Sequence, residues 1–117
     1  MQLTPELLEA VVAGLFPPEA RSEVAAVLSS YGVQPHEREP VRVRVAALKL
    51  SGGNLERLRE VIGLAQRDYR DVIAWAEYPA EIRSPVGGLS TGDQRRIRAG
   101  DRDQYLAWLR SLEVRGP

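Results

Sequence analysis

Apolar side chains recur along the chain with the pitch of an α-helix. The clearest run is Leu55, Leu58, Ile62, Ala65, Tyr69, Val72 and Ala76, which step forward by three, four, three, four, three and four residues. That spacing keeps one helical face dry over its whole length, and it predicts one helix, or two consecutive ones, from Asn54 to about Tyr78. A single helix there would be about 36 Å long at 1.5 Å per residue, long for a small domain. Asp68 can cap a fresh helix with Asp71 in its first turn. The expected break therefore lies between Gln66 and Asp68, and Pro79 ends the run.

The flanking segments carry helix punctuation. Thr4, Pro5 and Glu6 read as a hydroxyl cap, a proline at the first helical position and an acid near the positive helix end. Behind them Leu7, Leu8, Val11, Val12 and Leu15 form a stripe ending near Gly14 to Phe16. Pro17 and Pro18 forbid continuation. A second helix is expected from Pro18, with Ala20, Val24, Val27 and Leu28 on one face and Gly32 at its close, pairing with the first as an antiparallel hairpin. Residues 33–39, with Pro35 and the only histidine, His36, read as a loop. Val41, Val43 and Val45 alternate with Arg42 and Arg44 in the two-residue period of a strand, yet the run continues through Ala46, Ala47, Leu48, Lys49 and Leu50. Helix is the reading adopted, opened by Pro40, because no second strand candidate exists to satisfy an isolated one. Ser51, Gly52, Gly53 and Asn54 then stop one helix and cap the next.

From Ile82 to Gly92 serine, proline and glycine accumulate. Beyond them a short basic helix is expected over Asp93 to Ala99, and Asp101 reads as the cap of a last helix with Tyr105, Leu109 and Leu112 on one face and Trp108 beside them. The fold expected is all-α, a small bundle of five to six short helices. It comprises a helical core over residues 1–83, a Gly/Ser/Pro-rich link over 84–92, and a C-terminal helical segment over 93–117. The link would let that segment move, docking on the core or on a partner.

Composition narrows the function classes. With 44% hydrophobic and 27% charged residues the chain has ordinary globular usage. Sixteen basic groups cancel sixteen acidic ones, so the broad positive field of a nonspecific nucleic-acid or membrane-surface binder is absent. The cancellation is uneven: residues 1–40 hold six acidic and two basic groups, residues 41–83 six and eight, residues 84–117 four and six. The acidic first third could attract the remainder within one domain, or two copies could meet head to tail. Cysteine is absent, which removes disulfides, thiolate chemistry and cysteine-ligated zinc. No secretory leader or membrane-length apolar run is read, so a cytoplasmic setting is expected. Fifteen of the sixteen basic residues are arginine, a bias attributed to a GC-rich bacterial genome.

Candidate chemistry is sparse. Asp68, Asp71 and Glu77 could hold a divalent cation or perform acid–base work in a small metal-dependent enzyme; caps and arginine ion pairs explain the same residues without any reaction. One histidine in a charged loop makes neither a zinc site nor a triad, and no glycine-rich phosphate loop is present. Arg57 and Arg59 are matched by Glu56 and Glu60 where a DNA-reading helix would be basic. The string LKLSGGNLERL, Leu48 to Leu58, resembles the Gly-Gly-Asn-Leu turn of ubiquitin-associated helical bundles; the match is confined to that string and implies no function here. The aromatic area gathers in the second half. Arg70, Trp75, Tyr78, Arg102, Tyr105 and Trp108 have the composition of a protein–protein hot spot. The function expected is therefore a bacterial interaction or regulatory module without catalytic activity, binding another protein or itself through helical faces, with no cofactor, nucleic acid or membrane.

Overall fold

In the computed structural model, which describes residues 3–83 and 90–114, the Thr4 hydroxyl accepts from the Leu7 amide at 3.2 Å and opens α1, Pro5–Leu15. The helix stops at Phe16, before the two prolines. Residues Pro18–Ala20 wind as a 3-10 turn rather than as the first turn of the next helix, and α2 begins at Arg21 and runs to Ser29. The Arg21 side chain reaches back to the carbonyls of Phe16 (3.4 Å) and Ala13 (3.5 Å), occupying acceptors that the end of α1 leaves free.

The Arg44 guanidinium does the same for α2, donating to the carbonyls of Leu28 (2.8 Å) and Tyr31 (2.6 Å). Gly32 follows at φ 99°, a conformation that side chains rarely adopt. The loop beyond it is held by one buried carboxylate. Glu37 accepts from the amides of Gly32 (2.8 Å) and Val33 (3.0 Å), while the Tyr31 hydroxyl donates to the Arg38 carbonyl at 2.7 Å.

The ambiguous segment is a helix, α3, Pro40–Ser51, and its burial explains the ambiguity. Val43, Val45, Ala46, Ala47 and Leu48 are all fully buried, because α3 packs against α1, α4 and α5 together. A helix enclosed on most sides needs no single apolar stripe, so its valines were free to alternate with arginines whose long stems carry the charge outward.

Asn54 Oδ1 accepts from the Arg57 amide at 2.8 Å to open α4, Leu55–Arg67, which buries Leu58, Val61, Ile62 and Ala65. The chain breaks at Asp68, within the interval expected from the helix length and the Asp68 cap. Its carboxylate accepts from the Arg70 amide at 3.1 Å and opens α5, Tyr69–Glu77.

Two expectations need correction. Pro79 does not simply end the run, since it opens a further short helix, α6, Pro79–Arg83. Nor is the C-terminal region a short basic helix followed by another capped at Asp101. It is one helix, α7, Thr91–Val114, whose start is capped by the Ser90 hydroxyl accepting from the Asp93 amide at 3.1 Å. Asp101 lies mid-helix, 2% exposed, and caps α6 from the side: the amides of Ala80 (3.0 Å) and Glu81 (3.1 Å) donate to its carboxylate. The described residues thus form seven α-helices, one or two more than expected, in an all-α bundle. The Gly/Ser/Pro-rich link falls largely on residues 84–89, outside the described residues.

Leu109 and Leu112 of α7 belong to the same core as α1, and a Cβ on Gly14 would stand 3.0 Å from Leu112 Cδ2, so the small residue sets how closely the two helices approach. Among the described residues no helix is long and apolar enough to cross a membrane.

Candidate functional site

The junction of α3, α5 and α7 concentrates polar side chains that packing alone does not require. Arg42 on α3 makes a two-pronged pair with Glu77 at the end of α5, Nε to Oε2 at 2.9 Å and a terminal nitrogen to Oε1 at 2.8 Å, and also reaches Glu39 at 3.3 Å. The hydrogen bond to Glu77 raises the guanidinium above its usual range and outweighs partial burial. About two turns further along α3, the chain's single lysine, Lys49, donates to the Ala76 carbonyl at 2.7 Å and stands 5.7 Å from the centre of the Tyr105 ring. Burial pushes this ammonium below its usual range, opposed by the charges of Asp101 and Glu77.

Tyr105 projects from α7 into this cluster. It is 7% exposed, its ring meets Trp108 edge-on with centroids 5.7 Å apart, and its hydroxyl has no hydrogen-bond partner among the described residues. Burial, then the Glu77 charge, push the phenol well above its ordinary range. It stays protonated, an unsatisfied donor and acceptor beside an ion pair.

Over the cluster opens a cleft of about 400 Å³, lined by Arg42, Glu77, Tyr78, Arg102 and Tyr105, with Leu3, Leu106 and Leu109 as its apolar wall. Of the six residues singled out in the sequence, Tyr78, Arg102 and Tyr105 converge here, and Trp108 joins them through its contact with Tyr105. The other two stand apart. Arg70 pairs with Asp68 at 3.0 Å in a different cleft, and Trp75, 42% exposed on α5, lines neither.

The three carboxylates considered for a metal do not come together. Asp68 is a helix cap paired with Arg70, Glu77 is held by Arg42, and Asp71 lies exposed. Among the described residues no group of three histidine, aspartate or glutamate side chains is placed to hold a metal ion. His36 meets the Gln66 carbonyl at 3.2 Å, and the hydroxyls of Ser30, Ser51 and Ser111 all donate to carbonyls of their own helices.

Sequence reasoning missed Arg42, Lys49 and Asp101. The one available signal was Lys49, a lone lysine among arginines, at a place where a compact ammonium fits over a ring. The junction brings together a guanidinium at Arg102 with no ion pair among the described residues, a buried hydroxyl and an apolar wall. The chain matches no protein-family model, no curated protein and no solved structure.

Proposed function

We propose that this chain is an interaction module without catalytic activity, and that it binds another protein, or a second copy of itself, through the cleft where α3, α5 and α7 meet. The observation that carries this reading is the pairing, in one open concavity, of an apolar wall with Tyr78, Tyr105 and Arg102. Tyrosine and arginine anchors in a pocket that excludes water are the usual centres of protein–protein binding energy. Arg102 forms no ion pair among the described residues, whereas Arg42 beside it is already neutralised by Glu77. The cleft thus suits an apolar side chain flanked by a carboxylate. A cytosolic, bacterial setting belongs to the same proposal, and the arginine bias of the basic residues supports its bacterial part.

Photo-crosslinking from position 78, combined with light scattering over a range of concentrations, tests it. Under this reading a single cross-linked species forms, either a dimer of the chain or one partner, and Arg102→Glu abolishes it while leaving the melting transition in place. Cross-linking that is diffuse, or indifferent to Arg102→Glu, would refute the cleft as a binding surface. Calorimetric titration with magnesium, manganese or zinc supplies the contrast, because a small metal-dependent enzyme built on Asp68, Asp71 and Glu77 would release heat where an interaction module gives none.

A further inference from the structure

A second concavity, about 520 Å³, opens on another face, where the loop after α2 passes the junction of α4 and α5. Residues far apart in sequence line it: His36 and Arg38 from the loop, Arg67 and Asp68 from the end of α4, and Tyr69 and Arg70 from the start of α5. Three guanidinium groups face a single carboxylate. That carboxylate is spent, since Asp68 binds Arg70 through both oxygens, at 3.0 and 3.1 Å, and caps α5. The side chains of Arg38 and Arg67 form no ion pair or hydrogen bond among the described residues, in a protein where Arg42, Arg57, Arg59, Arg96 and Arg98 all have carboxylate partners. The other acids nearby do not line the cleft: Glu37 is turned inward onto the backbone amides of Gly32 and Val33, with its second oxygen 3.9 Å from His36, Glu39 pairs with Arg42 at 3.3 Å, and Asp71 is exposed in the first turn of α5.

We propose that this cleft binds a phosphate monoester, held between the guanidinium groups of Arg38 and Arg67. The charge count favours phosphate over a lone carboxylate. Two uncompensated positive charges match a group carrying about −1.5 to −2 at neutral pH, whereas one carboxylate would leave a guanidinium unpaired. Planar nitrogen forks also suit tetrahedral oxyanions by geometry. The frame is held before any ligand arrives, because Tyr31 bonds the Arg38 carbonyl at 2.7 Å and His36 bonds the Gln66 carbonyl at 3.2 Å, tying the loop to α4. Fixed positions lower the ordering cost of binding. The site lies apart from the α3–α5–α7 cleft, and neither proposal depends on the other.

Backbone amide NMR of the full chain, titrated with inorganic phosphate at constant ionic strength, is the test. A saturable response confined to residues 34–38 and 66–70 is expected. The Arg38→Gln, Arg67→Gln double variant should weaken it by about tenfold or more, with its melting temperature unchanged, while Arg95→Gln, Arg96→Gln binds as the wild type does. A response that chloride reproduces, that spreads over the basic part of α7, or that survives in the Arg38→Gln, Arg67→Gln variant would overturn the assignment. A peptide bearing phosphoserine distinguishes the source. Tighter binding than inorganic phosphate marks a phosphorylated protein segment, and equal binding marks a free phosphate or small ester.

Discussion

At the scale of single residues, two buried oxygens behave in opposite ways. The Glu37 carboxylate is satisfied by the amides that would otherwise be stranded where the chain leaves α2. Burial alone would push its carboxyl up, but the donors at Gly32, Val33 and Gln34 outweigh that and hold it below the usual range. A carboxyl depressed in the folded state contributes stability that is fully present above its unfolded value, about 4.3, and lost as pH falls through the lower, native one. Glu37→Gln should therefore melt at a lower temperature than the wild type at pH 7, and the two curves should converge as acid protonates Glu37. Melting temperatures at stepwise lower pH would reveal a constant gap if the loop were held by other means. Tyr31, next to it, has a phenol pushed up to about 12 by burial and then by Glu37, which keeps its proton available for the Arg38 carbonyl. Tyr105 has no such partner among the described residues. An unpaired buried hydroxyl costs about 1–3 kcal/mol, so Tyr105→Phe is expected to raise stability in urea by about 1 kcal/mol. A loss of stability would mean that the hydroxyl has an acceptor in solution. A gain would identify a group kept at the cleft at the expense of the fold.

At the scale of elements, local signals were legible and distant pairings were not. Thr4, Asn54 and Asp68 act on amides two or three residues away, so their roles as caps can be read from the adjoining residues alone. The apolar stripe of α4 and α5 was readable for the same reason, since period decides which face of a helix is dry. Period does not say which helix lies against that face. Arg42 and Glu77 are 35 positions apart, Lys49 and Ala76 are 27 apart, and Asp101 and Ala80 are 21 apart. No local pattern encodes those meetings, and the first of them supplies two residues of the cleft's lining, Arg42 and Glu77. Asp101 shows how a correct principle can be placed wrongly. It is a helix-capping aspartate, but the amides it caps belong to α6 and not to its own helix. Asp101→Ala removes the cap and the latch together. A loss of about 0.5–2 kcal/mol is expected, with faster hydrogen exchange at the Ala80 and Glu81 amides, and the Lys49 ammonium should fall further below its usual range because an opposing charge has gone. Unchanged exchange at those two amides would show that α6 is held by packing alone.

For the whole molecule, the long axis is the informative one. The extents are 47 × 34 × 23 Å, and a helix as long as α7 spans about 36 Å by itself. Its burial is one-sided along its length. Asp101, Tyr105, Leu109 and Leu112 are buried, whereas from Thr91 to Gly100 only Asp93 and Ile97 are even half-covered. The early turns are tied down mainly by Arg98, which meets Glu81 of α6 at 2.8 Å, and exposed ion pairs of this kind are worth about 0–1 kcal/mol. The later turns are tied down by the core. Helix propensity gives no such gradient, so the two halves of α7 should differ in opening free energy although they share one continuous backbone. Native-state hydrogen exchange is expected to find the amides of Arg95 to Ala99 opening at little cost and those of Tyr105 to Leu112 opening only with global unfolding. Leu112→Ala, which empties a site 1% exposed against Gly14, should cost about 2–5 kcal/mol. It should also accelerate exchange in α1 together with the second half of α7 while leaving residues 95–99 as they were. Uniform protection along α7, or a Leu112→Ala effect that stays within α7, would mean that this helix and α1 do not share one cooperative core.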